Sequence, residues 1–366
     1  MNLSCSRAQL REALRLVGGV VDPRNIKPIL KDIRIRAMDD GLELSATDLE
    51  VGIKYLVRDV EIKEPGGIVV PADTVAGIVS ESRAERLSLE AKDGKLLITA
   101  DGSRFNVMGV TEEEFPDIPD FPEENAIEIE GAIIREMIEK TSFAVAVEKQ
   151  RYALNGVLVV TKSGSPRITM VATDGRRLAL IKRKANVSSP FDAQAIIPVK
   201  ALIQVEKMVG EEEIVKLNIQ ERQILVRGEN GVLVAQLVEG RFPPYEEVIP
   251  DDCDKKLEIT SDDFGNAIRQ AAVLTMRDSR AIRLMANEGG LTIESSDPES
   301  GDAHVELPAK YEGADIDIRF NPDFLIDGLK AMSEQMVRLE MKDRTRAAVM
   351  RSGTDYLYLV MPITQD

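Results

Sequence analysis

The sequence predicts an α+β protein built as three tandem copies of one unit, in which two helices pack on antiparallel sheet. Three observations carry this. The strand–turn "VATDGRRLAL" (171–180) has weaker copies in "LSATDLEVGI" (44–53) and "IESSDPESGD" (293–302). Their acidic positions Asp48, Asp174 and Asp297 lie 126 and 123 residues apart. A period that long is a whole small domain and not a solenoid repeat. Upstream, "LSCSRAQLREALRLV" (3–17), "IEIEGAIIREMIEKT" (127–141) and "LEITSDDFGNAIRQA" (257–271) align without gaps. Each is a short alternating strand that runs into apolar residues at helical spacing. Finally, each third of the chain closes in strand pairs with "DG", "EN-G" or "SG" turns, which read as antiparallel hairpins.

Each element follows from its residues. The first helices carry Leu10, Ala13, Leu14 and Val17; Ile134, Met137 and Ile138; and Phe264, Ala267, Ile268 and Ala271 on their apolar faces. Ser6 with Gln9, and Thr260 with Asp263, fit capping boxes at two helix starts. "KPILKDIRIRA" (27–37), "RYALNGVLVVT" (151–161) and "SRAIRLMANEG" (279–289) read as strands, and the strand–turn with the aspartate follows. "VVPADTVAGIV" (69–79), "IIPVKALIQVE" (196–206) and "RFNPDFLIDGL" (319–329) each pass from a strand through a proline into a second helix, because a first turn tolerates proline. Two segments rich in proline and acid, 114–126 and 241–256, read as linkers. The expected domains are 1–122, 123–253 and 254–366.

Composition narrows the function. At 366 residues the chain is long for a single core. Its apolar runs are far too short to span a bilayer, and its first ten residues do not have the pattern of a signal peptide. Cys5 and Cys253 lie far apart and in no metal-ligand spacing, which fits a reduced, cytoplasmic setting without a disulfide. A glycine-rich phosphate loop and zinc spacing are both missing, so no cofactor or metal is expected. His304, the lone histidine, lies in "DAHVEL" on an expected strand with no nucleophile motif, which fits a structural role and argues against triad hydrolysis. Asp251, Asp252 and Asp254 read as a solvated linker in preference to a metal site. Aromatics make up 4% and tryptophan is absent, which disfavours a single-strand binder that stacks bases. A repeat with no catalytic constellation points to a scaffold, not an enzyme.

The formal charge of −16 argues against a nucleic-acid binder when taken alone. The placement of the cations argues the other way. Arg7, Arg11 and Arg15 share one face of the first helix, opposite Leu10 and Leu14. Further basic residues lie on or near equivalent elements: Arg24, Lys27, Arg135, Lys140, Lys149, Arg151, Lys200, Lys207, Arg269, Arg277, Arg280 and Lys330. Repeated helices sharing a basic side would give a basic inner surface and an acidic exterior, which suits a polyanion held without reading its sequence. A closed ring of twelve helices about 10 Å wide would enclose roughly 30 Å, enough for duplex DNA. One chain supplies six helices, so it must oligomerise, in a copy number that sequence physics alone does not fix.

These motifs settle on a family. "RYALNGVLV", "VATDGRRLA", "EGRFPPYEEVIP" and the terminal "YLVMP", in this order and spacing, resemble the bacterial DNA sliding clamps, the beta subunits of DNA polymerase III, over essentially the full length. The resemblance implies a head-to-tail homodimeric ring of six similar domains. The ring would encircle double-stranded DNA and tether the replicative polymerase, the clamp loader and other proteins that carry short binding motifs. It also implies a protein-binding cleft lined by Leu154, Thr173, Gly175, Arg176, Arg177, Leu178, Pro243, Val248, Val360, Met361, Pro362 and Ile363. DNA contacts carried over are Arg24, Arg151, Tyr152 and Lys200, with Lys149 added on charge and adjacency. The subunit interface would set Phe105 and Val107 against Val273 and Leu274. Asp73 follows "VPA" where relatives can place a basic DNA contact, Glu247 stands where a basic cleft-rim residue can occur, and the ending "MPITQD" is more polar and acidic than usual. Two other classes stay open on the residues: an interaction scaffold that never touches DNA, and an enzyme whose site assembles between domains.

Overall fold

The computed structural model describes residues 1–148, 152–187, 192–276 and 280–364. Among them are six α-helices: α1 (Arg7–Gly18), α2 (Ala72–Glu81), α3 (Gly131–Ser142), α4 (Val199–Met208), α5 (Ser261–Ala272) and α6 (Pro322–Ala331). Each repeat contributes a longer first helix and a shorter second one. The helix starts follow the sequence: Ser6 Oγ accepts from Gln9 N at 3.5 Å, and Thr260 Oγ1 accepts from Asp263 N at 3.3 Å. The return half of each capping box goes elsewhere. Gln9 Oε1 accepts from Asp59 N at 3.1 Å, and the Asp263 carboxylate takes the Thr260 hydroxyl. Pro71 and Pro198 cap their helices from outside, whereas Pro322 is the first helical residue behind Asn321.

The stretches 27–37 and 151–161 are not strands throughout. Pro28–Lys31 and Tyr152–Leu154 are 3-10 turns, and the strands begin at Asp32 and Gly156. Proline fixes φ and offers no N–H to a ladder, so Pro28 opens a turn more readily than a strand.

Two compact units emerge from the contacts. The first holds Met1–Arg135, Thr161–Pro166 and Lys184–Leu237; the second holds Glu136–Val160, Arg167–Arg183 and Val238–Asp366. The middle repeat is therefore divided between them. In the first unit, one sheet runs Val60–Glu64, Asn2–Ser6, Arg86–Lys92, Lys95–Ala100, Ser103–Met108, with the last strand at its edge. A second sheet crosses the repeat boundary where Gly231–Gln236 pairs antiparallel with Val51–Val57, Leu233 facing Ile53. In the second unit the corresponding seam pairs Tyr356–Val360 with Arg177–Lys184, Leu359 facing Leu178. A four-stranded sheet, Gly301–Leu307, Gly290–Asp297, Ile282–Asn287, Ile316–Phe320, completes that unit. The alternation of apolar residues that marks each hairpin also buries its inner face, so seam residues such as Ile53, Leu233, Leu178 and Leu359 sit in the core.

The expected linkers are packed straps. In the first unit Phe115 and Ile118 are buried with Val69, Leu225 and Val234, joining strands of two repeats on one face. In the second unit the acidic run is ion-paired: Asp252 lies 3.2 Å from Arg346, and Asp254 lies 2.9 Å from Lys255 and 3.4 Å from Lys342. No group of three or more metal-ligating side chains is gathered among the described residues.

Candidate partner-binding site

The stretch "VATDGRRLAL" folds as a tight turn between strands Arg167–Thr173 and Arg177–Lys184. Asp174 Oδ1 accepts from the backbone of Arg176 at 2.8 Å and of Arg177 at 3.0 Å. Thr173 Oγ1 accepts from Gly175 N at 3.0 Å and donates to Arg177 O at 2.6 Å. Gly175 has φ 85, a left-handed setting that glycine adopts without strain. Short Asp and Thr side chains satisfy the orphan backbone groups of such a turn, which explains why "TDG" suits this place.

The same turn holds the C-terminal segment. Met361 N donates to Arg176 O at 2.7 Å, and Ile363 N donates to Arg319 O at 2.8 Å. Met361 and Ile363 each keep 37% of their surface exposed although they are large and apolar. Gly175 and Arg176 are exposed, and Pro362 is half-buried. Thr173, Leu178 and Val360 lie beneath them, buried at 7%, 2% and 0%. Leu154 is half-buried and its carbonyl accepts from Ala146 N. The loop that leads to Pro243 and Val248 passes close to the 3-10 turn Tyr152–Leu154. Gly240, at φ 116, approaches so near that an added Cβ would stand 3.3 Å from Ala153. Pro243 and Val248 are exposed, as are Glu246 and Glu247. The two adjacent arginines differ. Arg176 reaches solvent, while Arg177 is turned inward onto Asp174, Asp327 and Phe143. Sequence reading missed Asp327, Phe143 and Phe324. They carry no motif; Asp327 and Phe324 lie on α6 and Phe143 just after α3, and they meet around the Arg177 guanidinium.

The expected cations are dispersed among several tasks. Arg24 is open to solvent, near Asp22 at 3.5 Å. Lys200 is half-engaged, its Nζ donating to Val20 O at 2.9 Å and contacting the Asp48 carboxylate. Tyr152 opens the 3-10 turn ahead of Leu154. Lys149, Arg151 and Arg277 lie outside the described residues. Two members of the expected basic side do not belong to a free face. Arg135 donates to the carbonyls of Glu206 and Val209 at the end of α4. Lys140 is buried, bonded to Ser333 at 3.0 Å and set over the Tyr356 ring. Arg15 pairs with Glu12 at 2.6 Å and Arg280 with Asp323 at 2.7 Å. Of the expected interface residues, Phe105 is 38% exposed on its edge strand and Val273 is 77% exposed. Val107 is buried and Leu274 is half-buried. His304 stands on an exposed strand between Glu306 and Glu294, which hold its pKa above the ordinary 6.5.

Two-helix units repeated three times on antiparallel sheets that join across the repeats are the fold class of the DNA clamps. Three family models match in tandem: the N-terminal domain of the DNA polymerase III beta subunit over residues 1–119, its central domain over 128–244 and its C-terminal domain over 246–364. The beta sliding clamp of Pseudomonas putida is 32% identical over 99% of this chain and 100% of its own length, and that of Escherichia coli is 30% identical over the same shares. Among solved structures, the DNA polymerase sliding clamp of Bacillus subtilis superposes with a TM-score of 0.95 at 26% identity. The Pseudomonas aeruginosa subunit superposes with a TM-score of 0.93 at 30% identity, and each covers both chains completely. The chain belongs to the bacterial DNA polymerase III beta subunits, the beta sliding clamps, which are non-catalytic processivity factors of DNA replication.

Proposed function

We propose that two copies of this chain close head to tail into a ring that encircles double-stranded DNA without reading its sequence. The ring holds the replicative polymerase, the clamp loader and other proteins through short peptide motifs, in the cytoplasm. The observation that carries this reading is the full-length, three-domain correspondence to the beta sliding clamps. The proposed domain limits are 1–122, 123–253 and 254–366; the first two contain their matched segments, while the third matched segment begins at residue 246, eight residues before the last proposed limit. No helix among the described residues is long and apolar enough to cross a membrane.

The partner groove is the surface around Gly175 and Arg176, with Met361, Pro362, Ile363, Pro243 and Val248 as its apolar wall. Leu154, Thr173, Arg177, Leu178 and Val360 form the support beneath. Exposed large apolar side chains gathered beside a few polar groups are the usual chemistry of peptide recognition. Arg24, Lys149, Arg151, Tyr152 and Lys200 face DNA in this reading. Phe105 and Val107 on one protomer meet Val273 and Leu274 on the other, and the exposure of Phe105 and Val273 supports that role.

The test is topological. Protein loaded on nicked circular DNA should co-elute with it at moderate salt and dissociate when the circle is cut to a linear form. Equal retention on both forms would refute encirclement, and retention on neither would leave the interaction-scaffold reading.

A further inference from the structure

The two arginines of the turn do different work. Arg177 keeps 12% of its side chain exposed. Its Nε donates to Asp174 Oδ2 at 3.0 Å, Nη1 to Asp327 Oδ2 at 2.7 Å and Nη2 to Phe143 O at 2.8 Å. Its guanidinium lies 4.6 Å from the centre of the Phe324 ring and 5.6 Å from that of Phe143. One side chain thus ties three elements together: the turn itself, α6 through Asp327 and Phe324, and the residue that follows α3. Arg176 is exposed and has no ion pair among the described residues, yet its carbonyl receives Met361 N at 2.7 Å. Whatever fixes the turn therefore also fixes where Met361 begins.

Resting on the partner-groove reading above, we infer that Arg177 is a positioning residue for partner binding, and that Arg176 alone of the pair meets the partner, as a ligand for a carboxylate beside the apolar anchor. A planar guanidinium can serve two carboxylates and a carbonyl while packed between rings, whereas a lysine ammonium cannot span all three. Arg177 holds Gly175 and Arg176 in one setting relative to Met361 and Ile363, so a peptide meets a groove that is already formed and loses less affinity to ordering it.

The two roles give different signatures. The probes are a hexapeptide with two adjacent leucines and one aspartate, and the same peptide with asparagine in place of aspartate. Titration calorimetry with intact protein should show the aspartate peptide binding about tenfold more tightly. R176A should erase that ratio. R177K should weaken both peptides by about tenfold and keep the ratio. D327N should reproduce R177K, and the R177K/D327N double variant should bind no worse than either single one. Without peptide, R177K should speed amide exchange at Met361 N–H and leave the strand Gly290–Asp297 unchanged, which a general loss of stability would not do. The inference is overturned if R177K erases the ratio, since Arg177 would then be a contact, or if R177K binds both peptides like the wild type. Should the wild type bind neither peptide, the groove reading fails on its own, and unchanged exchange at Met361 in R177K would overturn the positioning role separately.

Discussion

Replacing Phe115 by alanine tests whether the segment 114–126 is a strap or a tether. Phe115 keeps 5% of its surface exposed and packs with Ile118 of the same segment and with Val69, Leu225 and Val234, which belong to strands of two repeats. Arg34, itself 3% exposed, lies 5.3 Å from the centre of its ring, and the Arg34 Nε has no hydrogen-bond partner among the described residues. Truncating a buried phenylalanine costs about 3–5 kcal/mol through lost transfer energy and the cavity left behind. Loss of the ring beneath a buried cation adds about 1–2 kcal/mol. The two effects share one cavity and are not additive, so about 4 kcal/mol is expected. That is a large share of the roughly 5–15 kcal/mol that stabilises a domain. Urea unfolding followed by circular dichroism should show the midpoint of the first transition lowered by about 1 M or more, with its slope unchanged. Asp117 is the control: its side chain is fully exposed near the same arginine, and D117A should stay within about 0.5 kcal/mol of wild type. A cost below about 1 kcal/mol for F115A would refute the strap, because a buried ring that is not part of a cooperative core is the signature of a tether.

Three further outcomes are expected. Converting Val273 and Leu274 together to glutamate should yield monomers by light scattering at micromolar concentration, since a charge buried without a partner costs several kcal/mol; a variant that remains dimeric would move the interface elsewhere. Changing Arg24 to alanine should lower the slope of log affinity for duplex DNA against log salt by about one unit. Lys200→Ala should in addition lower thermal stability, because Lys200 also binds Asp48 and Val20 O. An unchanged slope in R24A would take DNA away from that loop. Arg183 hydrogen-bonds Glu136 and, with Lys140, holds its carboxyl below the ordinary 4.5. A depressed folded pKa gives stability that is present above the unfolded value and lost as pH falls through the folded one. Stability should therefore begin to drop below about pH 4.5, and E136Q should flatten that fall in urea midpoints measured between pH 3 and 6.

Much of the fold was legible because it rests on local periodicity. The threefold period, the six helix positions and the hairpins are all written in spacings of 3.6 and 2 along the chain. What escaped was set by approach between distant segments. Arg135 and Lys140 look like members of a basic helix face until the end of α4 and the Tyr356 ring arrive beside them. Phe115 and Ile118 sit among prolines and acids, so composition announces a linker although the one sheet that spans two repeats gives them a core to enter. The 3-10 turns at Pro28–Lys31 and Tyr152–Leu154 hide because their sequences continue directly into good strands. At the groove, Asp174, Gly175 and the arginines could be found from the motif. Which arginine points inward depends on Asp327 and Phe143, and no spacing in the sequence relates these to the turn.

The two copies of the turn differ in a way that fits the groove proposed for the later one. The first copy is built alike: Asp48 Oδ1 accepts from the backbone of Glu50 and Val51, and Thr47 Oγ1 accepts from Leu49 N and donates to Val51 O. Gln236 N donates to Glu50 O at 2.8 Å, as Met361 N does to Arg176 O. The lock beside it uses other atoms at matching places. Gln204 on α4 donates to Gly19 O at 3.0 Å and Lys200 joins Asp48 to Val20 O, where the later copy has Asp327 on α6, Phe143 O and Arg177. One cation bound to the aspartate of the turn secures each seam, reaching it from the neighbouring helix in one case and from the turn itself in the other. The decisive difference is the residue with positive φ. It is Leu49 at φ 77 in the first copy and Gly175 at φ 85 in the second. A leucine held left-handed costs about 1–2 kcal/mol and places an apolar side chain, 45% exposed, on the turn itself. A glycine there carries no side chain, so the neighbouring Met361 and Ile363 stand beside bare backbone and an exposed arginine, an arrangement that an incoming apolar side chain can complete.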